Sequence, residues 1–174
     1  GLTLTGNFVF DGGTVKLDGN YPTGTDNVAL GDTALDSVEA GGTNNVAIGD
    51  NAGTAITTGD NNTAVGKDAL KATTTSANNT AIGSCALDAN TTGSSNTAVG
   101  RNSLGSNIDG VYNSAVGHNS LATNSTGDNN TGIGYNALVS NTTASNNTSV
   151  GFCSLYANTT GSPNTAVGSC ALLA

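Results

Sequence analysis

The chain has 174 residues, of which Gly, Asn and Thr supply 25, 25 and 27, so 77 positions belong to three residue types that favour turns and strand edges. Trp and Met are absent, and four Lys or Arg face twelve Asp or Glu for a net charge of −8. Lys16, Lys67, Lys71 and Arg101 are too few and too scattered to form the basic stripe that nucleic acid requires, and no apolar run of about eighteen residues exists for membrane insertion.

Gly1-Leu2-Thr3-Leu4-Thr5 has neither the basic nor the apolar region of a signal peptide, and no initiator Met precedes it. The chain reads as processed or as a fragment. Residues 2–10 and 14–18, separated by Asp11-Gly12-Gly13, have the pattern of two strands joined by a tight turn. Residues 1–24 are therefore assigned to a hairpin-like cap or joint. It caps the first rung, continues a stalk, or packs on a neighbouring subunit. Phe8 and Phe10, two of only three phenylalanines, supply the bulk for such a joint.

From residue 25 to residue 174 the chain repeats. The pattern Asn-Thr-Ala-Val-Gly-x-x-Ala-Leu occurs nine times, with its glycines at Gly31, Gly49, Gly66, Gly83, Gly100, Gly117, Gly134, Gly151 and Gly168. The first spacing is 18 and every other is 17. A period this strict marks a solenoid, in which a single repeat cannot bury its own apolar face and stacking supplies the core. The composition alone would also suit a disordered chain; the period decides against disorder.

Columns down the stack carry the next inference. Two residues before each glycine stands Ala, Gly or Ser, and one before it stands Val, Ile or Leu, as in a short strand. Three after it stands Ala or Ser, and four after it Leu, except at Gly53; this half is expected to be a second short strand. The remainder, such as Asn90-Thr91-Thr92-Gly93-Ser94-Ser95, is dense in turn formers. The expected fold is all-β, a parallel β-solenoid of nine 17-residue rungs without helices. At about 4.8 Å per rung it makes a rod of roughly 43 Å. Neighbouring side chains of a strand point to opposite faces, so the Ala column and the Val/Ile column cannot both face inward. The outward one needs a cover, and another copy of the chain is the simplest.

The repeat, with spacers such as Tyr156-Ala157-Asn158-Thr159-Thr160-Gly161, resembles the repeats of phage-type tail-fibre and related extracellular fibre proteins. It is more distantly similar to the head repeats of trimeric autotransporter adhesins, which share the Ala-[Ile/Val]-Gly-x-x-Ala core. The resemblance spans residues 27 to 172. It implies a left-handed β-roll assembled as a homotrimer, outside the cell or on a virion, with no enzymatic activity in the repeats. The 18-residue first spacing, Gly53 and the missing anchor or chaperone domain depart from that pattern.

The chain stops in the second half of its ninth rung, at Leu172-Leu173-Ala174, without a polar cap. Such an end exposes edge groups to which another subunit can join, so Leu172 and Leu173 are candidate joint residues and a head-to-tail filament is one expectation, a fragment the other. Nine Asn-x-Ser/Thr triplets start at Asn61, Asn78, Asn90, Asn124, Asn129, Asn141, Asn146, Asn147 and Asn158. Of these, Asn90, Asn124, Asn141 and Asn158 share a column expected to lie in an exposed long turn. Tyr135 and Phe152, one after their glycines, with Tyr156 close by, form a candidate aromatic platform for glycans or a partner subunit. Cys153 and Cys170 fall on adjacent rungs, within reach of a disulfide, although small residues tolerated in a turn explain them more simply. One histidine and no Ser/His/Asp grouping give no catalytic, metal or cofactor assignment. The leading expectation is a structural subunit of an extracellular fibre or filament; the alternative is an adhesin or receptor-binding tail-fibre segment that recognises surface glycans. A third, ice binding, rests on the Thr column three before the glycine.

Overall fold

The computed structural model describes residues 26–39 and 41–173. The expected hairpin of residues 1–24, with Phe8 and Phe10, lies outside them. Nine three-residue strands follow one another: β1 (Val28–Leu30), β2 (Val46–Ile48), β3 (Thr63–Val65), β4 (Thr80–Ile82), β5 (Thr97–Val99), β6 (Ser114–Val116), β7 (Thr131–Ile133), β8 (Thr148–Val150) and β9 (Thr165–Val167). They form one parallel sheet in chain order, and each strand lies on the corresponding residues of the next, as Ala64 does on Ala81. Among the described residues there is no helix. The fold is the expected β-solenoid.

One expectation is corrected. The Ala-Leu half of each rung is a chain of turns, and no strand forms there among the described residues. Backbone sign gives the reason. In the rung that begins at Gly100, Asn102 and Leu104 both have positive φ, 55° and 51°, and Tyr112 has 60° before the next strand. Left-handed residues at alternating positions bend the chain inward and forbid an extended segment. Each costs a non-glycine residue about 1–2 kcal/mol. Asn tolerates that conformation best, and it supplies Asn51, Asn102, Asn119 and Asn136 to the first of these columns. The Leu column accepts it because the bend drives each side chain into the core: Leu70, Leu87, Leu104, Leu121 and Leu138 have no exposed surface. Burying a Leu contributes about 1.5–3 kcal/mol, enough to offset the strain.

Gly100 shows why the repeat keeps its glycine. Its φ is +133°, and a Cβ there would lie 2.5 Å from the carbonyl oxygen of Gly117 in the next rung. Both the backbone angle and the stacking distance exclude a side chain.

The interior is narrow and half polar. Ala47, Ala64, Ala81, Ala98 and Ala115 line it from the sheet, and Leu lines it from the turns. Two asparagine ladders complete it. In the first, the residue before each strand is Asn in all nine rungs; Asn45, Asn62, Asn79, Asn96, Asn113, Asn130 and Asn147 are buried. Each side-chain oxygen accepts the backbone N–H of the next Asn, for example Asn113 N to Asn96 Oδ1 at 2.9 Å. Its Nδ2 donates to a turn carbonyl, as Asn96 does to Gly110 at 2.8 Å. The second ladder runs through Asn90, Asn107, Asn124, Asn141 and Asn158; the last four each donate Nδ2 to the Oδ1 of the preceding rung at 2.8–3.2 Å, and Asn90 Nδ2 donates to Thr73 Oγ1 at 3.2 Å. Buried amides are tolerated only when paired, and an in-register stack pairs every one with its own image.

The irregular rungs are accommodated locally. Glu39 N bonds Thr57 O eighteen residues on, whereas Thr43 N bonds the Asp60 carboxylate seventeen on, so the extra residue of the first spacing lies between Glu39 and Thr43. Gly53 lacks the Leu of its column, and Ile56, 1% exposed, fills that space from the column that holds Val38 and Thr73 in the flanking rungs and Asn from Asn90 onward.

Candidate functional site

Strand parity assigns two columns to the outside of the sheet. One is Thr in six rungs, with Val28, Val46 and Ser114 in the others; the second is Leu30, Ile48, Val65, Ile82, Val99, Val116, Ile133, Val150 and Val167. The aliphatic column is partly exposed throughout: Ile48, Ile82, Val116, Ile133 and Val167 are exposed, Ile82 at 42% and Val116 at 39%, and Leu30, Val65, Val99 and Val150 are half-buried. None of these eighteen positions is charged, in a chain of net charge −8. Nor do the strand threonines use their hydroxyls internally. Thr57, Thr73, Thr91, Thr123 and Thr142, all in turns, donate to carbonyls. Among the described residues, no hydrogen bond engages the hydroxyls of Thr63, Thr80, Thr97, Thr131, Thr148 or Thr165. The face is an array of methyl groups and unpaired hydroxyls.

Charge lies in the turns. Lys67 Nζ pairs with Asp50 Oδ2 at 2.9 Å, a hydrogen bond that raises the lysine pKa. Lys71 pairs with Asp68 at 3.2 Å and lowers the pKa of that carboxyl. The Lys67–Asp50 pair is exposed on both sides and contributes little to stability, whereas the Asp68 side chain is only 16% exposed. No three His, Cys, Asp or Glu side chains converge among the described residues. No described helix is long and apolar enough to cross a membrane.

The column after the glycine is exposed or half-buried, as its varied composition suggests, and over four rungs it becomes a continuous strip. Arg101 Nη1 donates to His118 Nε2 at 3.2 Å, His118 tilts against Tyr135 at 5.4 Å, and Tyr135 stacks on Phe152 at 5.4 Å with 10° between the planes. Tyr135 is 46% exposed and Phe152 53%. The sequence pointed to Tyr135 and Phe152 but not to the Arg101 and His118 extension, which the common column spacing carries. Tyr156 is exposed, and among the described residues no ring contact joins it to the stack.

The nine triplets separate by burial. Asn90, Asn124 and Asn141 were expected in an exposed turn and are instead fully buried in the second ladder; Asn158 is half-buried at its end. Their carbonyl partners three residues on, such as Gly93 for Asn90, turn the side chains inward. Asn147 is buried in the first ladder. Asn61, Asn78, Asn129 and Asn146 are exposed. Tyr112, in the column of these exposed asparagines, is 64% exposed and was not singled out from the sequence, where it lies outside any aromatic cluster. Cys85, Cys153 and Cys170 are free thiols. Leu172 and Leu173 are 57% and 47% exposed.

Comparison with protein-family models, with curated proteins and with solved structures finds no match.

Proposed function

We propose that this chain is a non-enzymatic structural subunit of an extracellular fibre or filament, whose solenoids associate as homo-oligomers through the uncharged sheet face. The observation that carries this reading is the unbroken, partly exposed aliphatic column on that face. Contiguous apolar surface of this kind is a feature of association sites. Two copies of charge −8 repel each other, and an uncharged face is where that repulsion is weakest. The repeat's resemblance to fibre proteins supports a left-handed trimer. Continuous backbone and asparagine ladders suit a stiff rod, since each rung is held by both neighbours. Sedimentation and electron microscopy of native material test the reading: rods thicker than one solenoid, discrete or joined in filaments, are expected. A monomeric, unassociated solenoid at high concentration would overturn it.

The stacked Tyr135 and Phe152 favour a second reading, a receptor-binding segment that holds a surface glycan against the rings. Tyr135→Ala and Phe152→Ala would then abolish glycan binding and leave assembly intact.

A further inference from the structure

We infer that one column of this solenoid, Asn61, Asn78, Asn129 and Asn146, is its N-glycan attachment site, and that steric crowding limits it to one glycan per adjacent pair. The inference rests on the extracellular reading, because the modification belongs to a secretory route.

The four residues share a geometry that the other Asn-x-Ser/Thr triplets lack. Each is the exposed residue two before a strand, with positive φ of 56–63°. Among the described residues no hydrogen bond engages their side-chain amides. The Thr two residues on, Thr63, Thr80, Thr131 or Thr148, is the partly exposed first residue of its strand, with an unpaired hydroxyl. Attachment requires the amide Nδ2 to lose a proton and bond the anomeric carbon of a diphosphate-activated saccharide, whose diphosphate leaves. Here that nitrogen has no competing structural role.

Elsewhere it has one. Asn141 Nδ2 donates to Asn124 Oδ1 at 2.8 Å and to Ala144 O at 3.0 Å, in a position with no exposed surface. A saccharide there would remove one of these bonds and have no space, so a chain modified at Asn90, Asn124, Asn141 or Asn147 does not complete the solenoid. Asn158 Nδ2 is likewise engaged, with Asn141 Oδ1 and Gly161 O.

The limit on occupancy follows from the stack. Asn61 and Asn78 stand on adjacent rungs, as do Asn129 and Asn146, about 4.8 Å apart. A hydrated saccharide is broader than one rung. Two glycans per chain are therefore the maximum, one from each pair. They project at the margin of the uncharged face and leave its aliphatic column open.

The full chain, directed through a eukaryotic secretory pathway, tests this. Intact mass is expected to show no more than two glycans per molecule, and glycopeptide mapping to place them only within the four-residue column. Thr63→Ala with Thr80→Ala is expected to halve that number without changing the circular dichroism spectrum. A glycan on any of the other five asparagines in folded protein, a molecule with three or more, or complete absence of sugar would overturn the inference. Sugar acquired in that pathway by a protein found inside its native cell would overturn the extracellular reading alone.

Discussion

The side-chain oxygen of Asn113 accepts the backbone N–H of Asn130 at 2.9 Å, and the nitrogen of the same amide donates to Gly127 O at 2.8 Å. One side chain thus satisfies the Asn130 N–H and shares Gly127 O with Asn124 Nδ2, which reaches it at 2.9 Å. Asn113→Ala leaves the Asn130 N–H without its acceptor, while Gly127 O keeps the Asn124 Nδ2 donor. At about 1–3 kcal/mol for one buried group left unpaired, a loss of that size is expected, read by denaturant unfolding. Asn78→Gly, on the exposed neighbouring column, is expected to change stability by less than about 0.5 kcal/mol.

Gly53 and Ile56 should behave as a coupled pair. A Cβ at Gly53 would lie 3.0 Å from Ile56 Cδ1 and 3.1 Å from Leu35 Cδ2, so Gly53→Leu alone overpacks the core by about 1–3 kcal/mol. Ile56→Asn alone leaves a cavity. The double variant restores the composition of the regular rungs, with the new amide placed to reach Gly59 O as Asn90 reaches Gly93 O. A double-mutant cycle is expected to give a favourable coupling of about 0.5–3 kcal/mol; simple additivity would refute the account of the second rung.

Val116→Lys places a charge in the middle of the uncharged face without touching the core. The single solenoid is expected to retain its thermal stability, because Val116 is 39% exposed. Association should weaken sharply, seen as a shift toward monomer in sedimentation and rising with lower salt. Unchanged association would move the interface elsewhere.

Burial pushes the Asp88 carboxyl above the usual aspartate range, against the lowering effect of its own and the Ala89 backbone N–H groups. The folded state therefore holds this proton more tightly than the unfolded state. Stability falls as pH rises from the ordinary aspartate value through the folded one, and the loss is complete above it. Asp68, lowered by its hydrogen bond from Lys71, acts in the opposite direction at more acid pH, where its contribution is lost as pH falls through the folded value. Asp88→Asn is expected to gain stability at pH 7 relative to pH 3; denaturation at the two values checks the sign.

The period, the parallel stack and the demand for glycine were all legible in the sequence. Each follows from a local rule applied nine times: turn glycine, β-branched neighbour, alternating side chains. Only the structure decided that Ala faces inward and the aliphatic column outward. The second strand was misread because Ala-Leu is compatible with extended backbone, and only the closed rung forces Leu104 and its equivalents into left-handed φ. The asparagines were misread for a related reason. The sequence identifies Asn90, Asn124 and Asn141 as polar turn residues, which are usually exposed. Whether such an amide faces water or its image in the next rung depends on partners seventeen residues away. Local chemistry thus determined the repeat and its spacing. The tertiary stack decided which polar groups became core and which stayed at the surface.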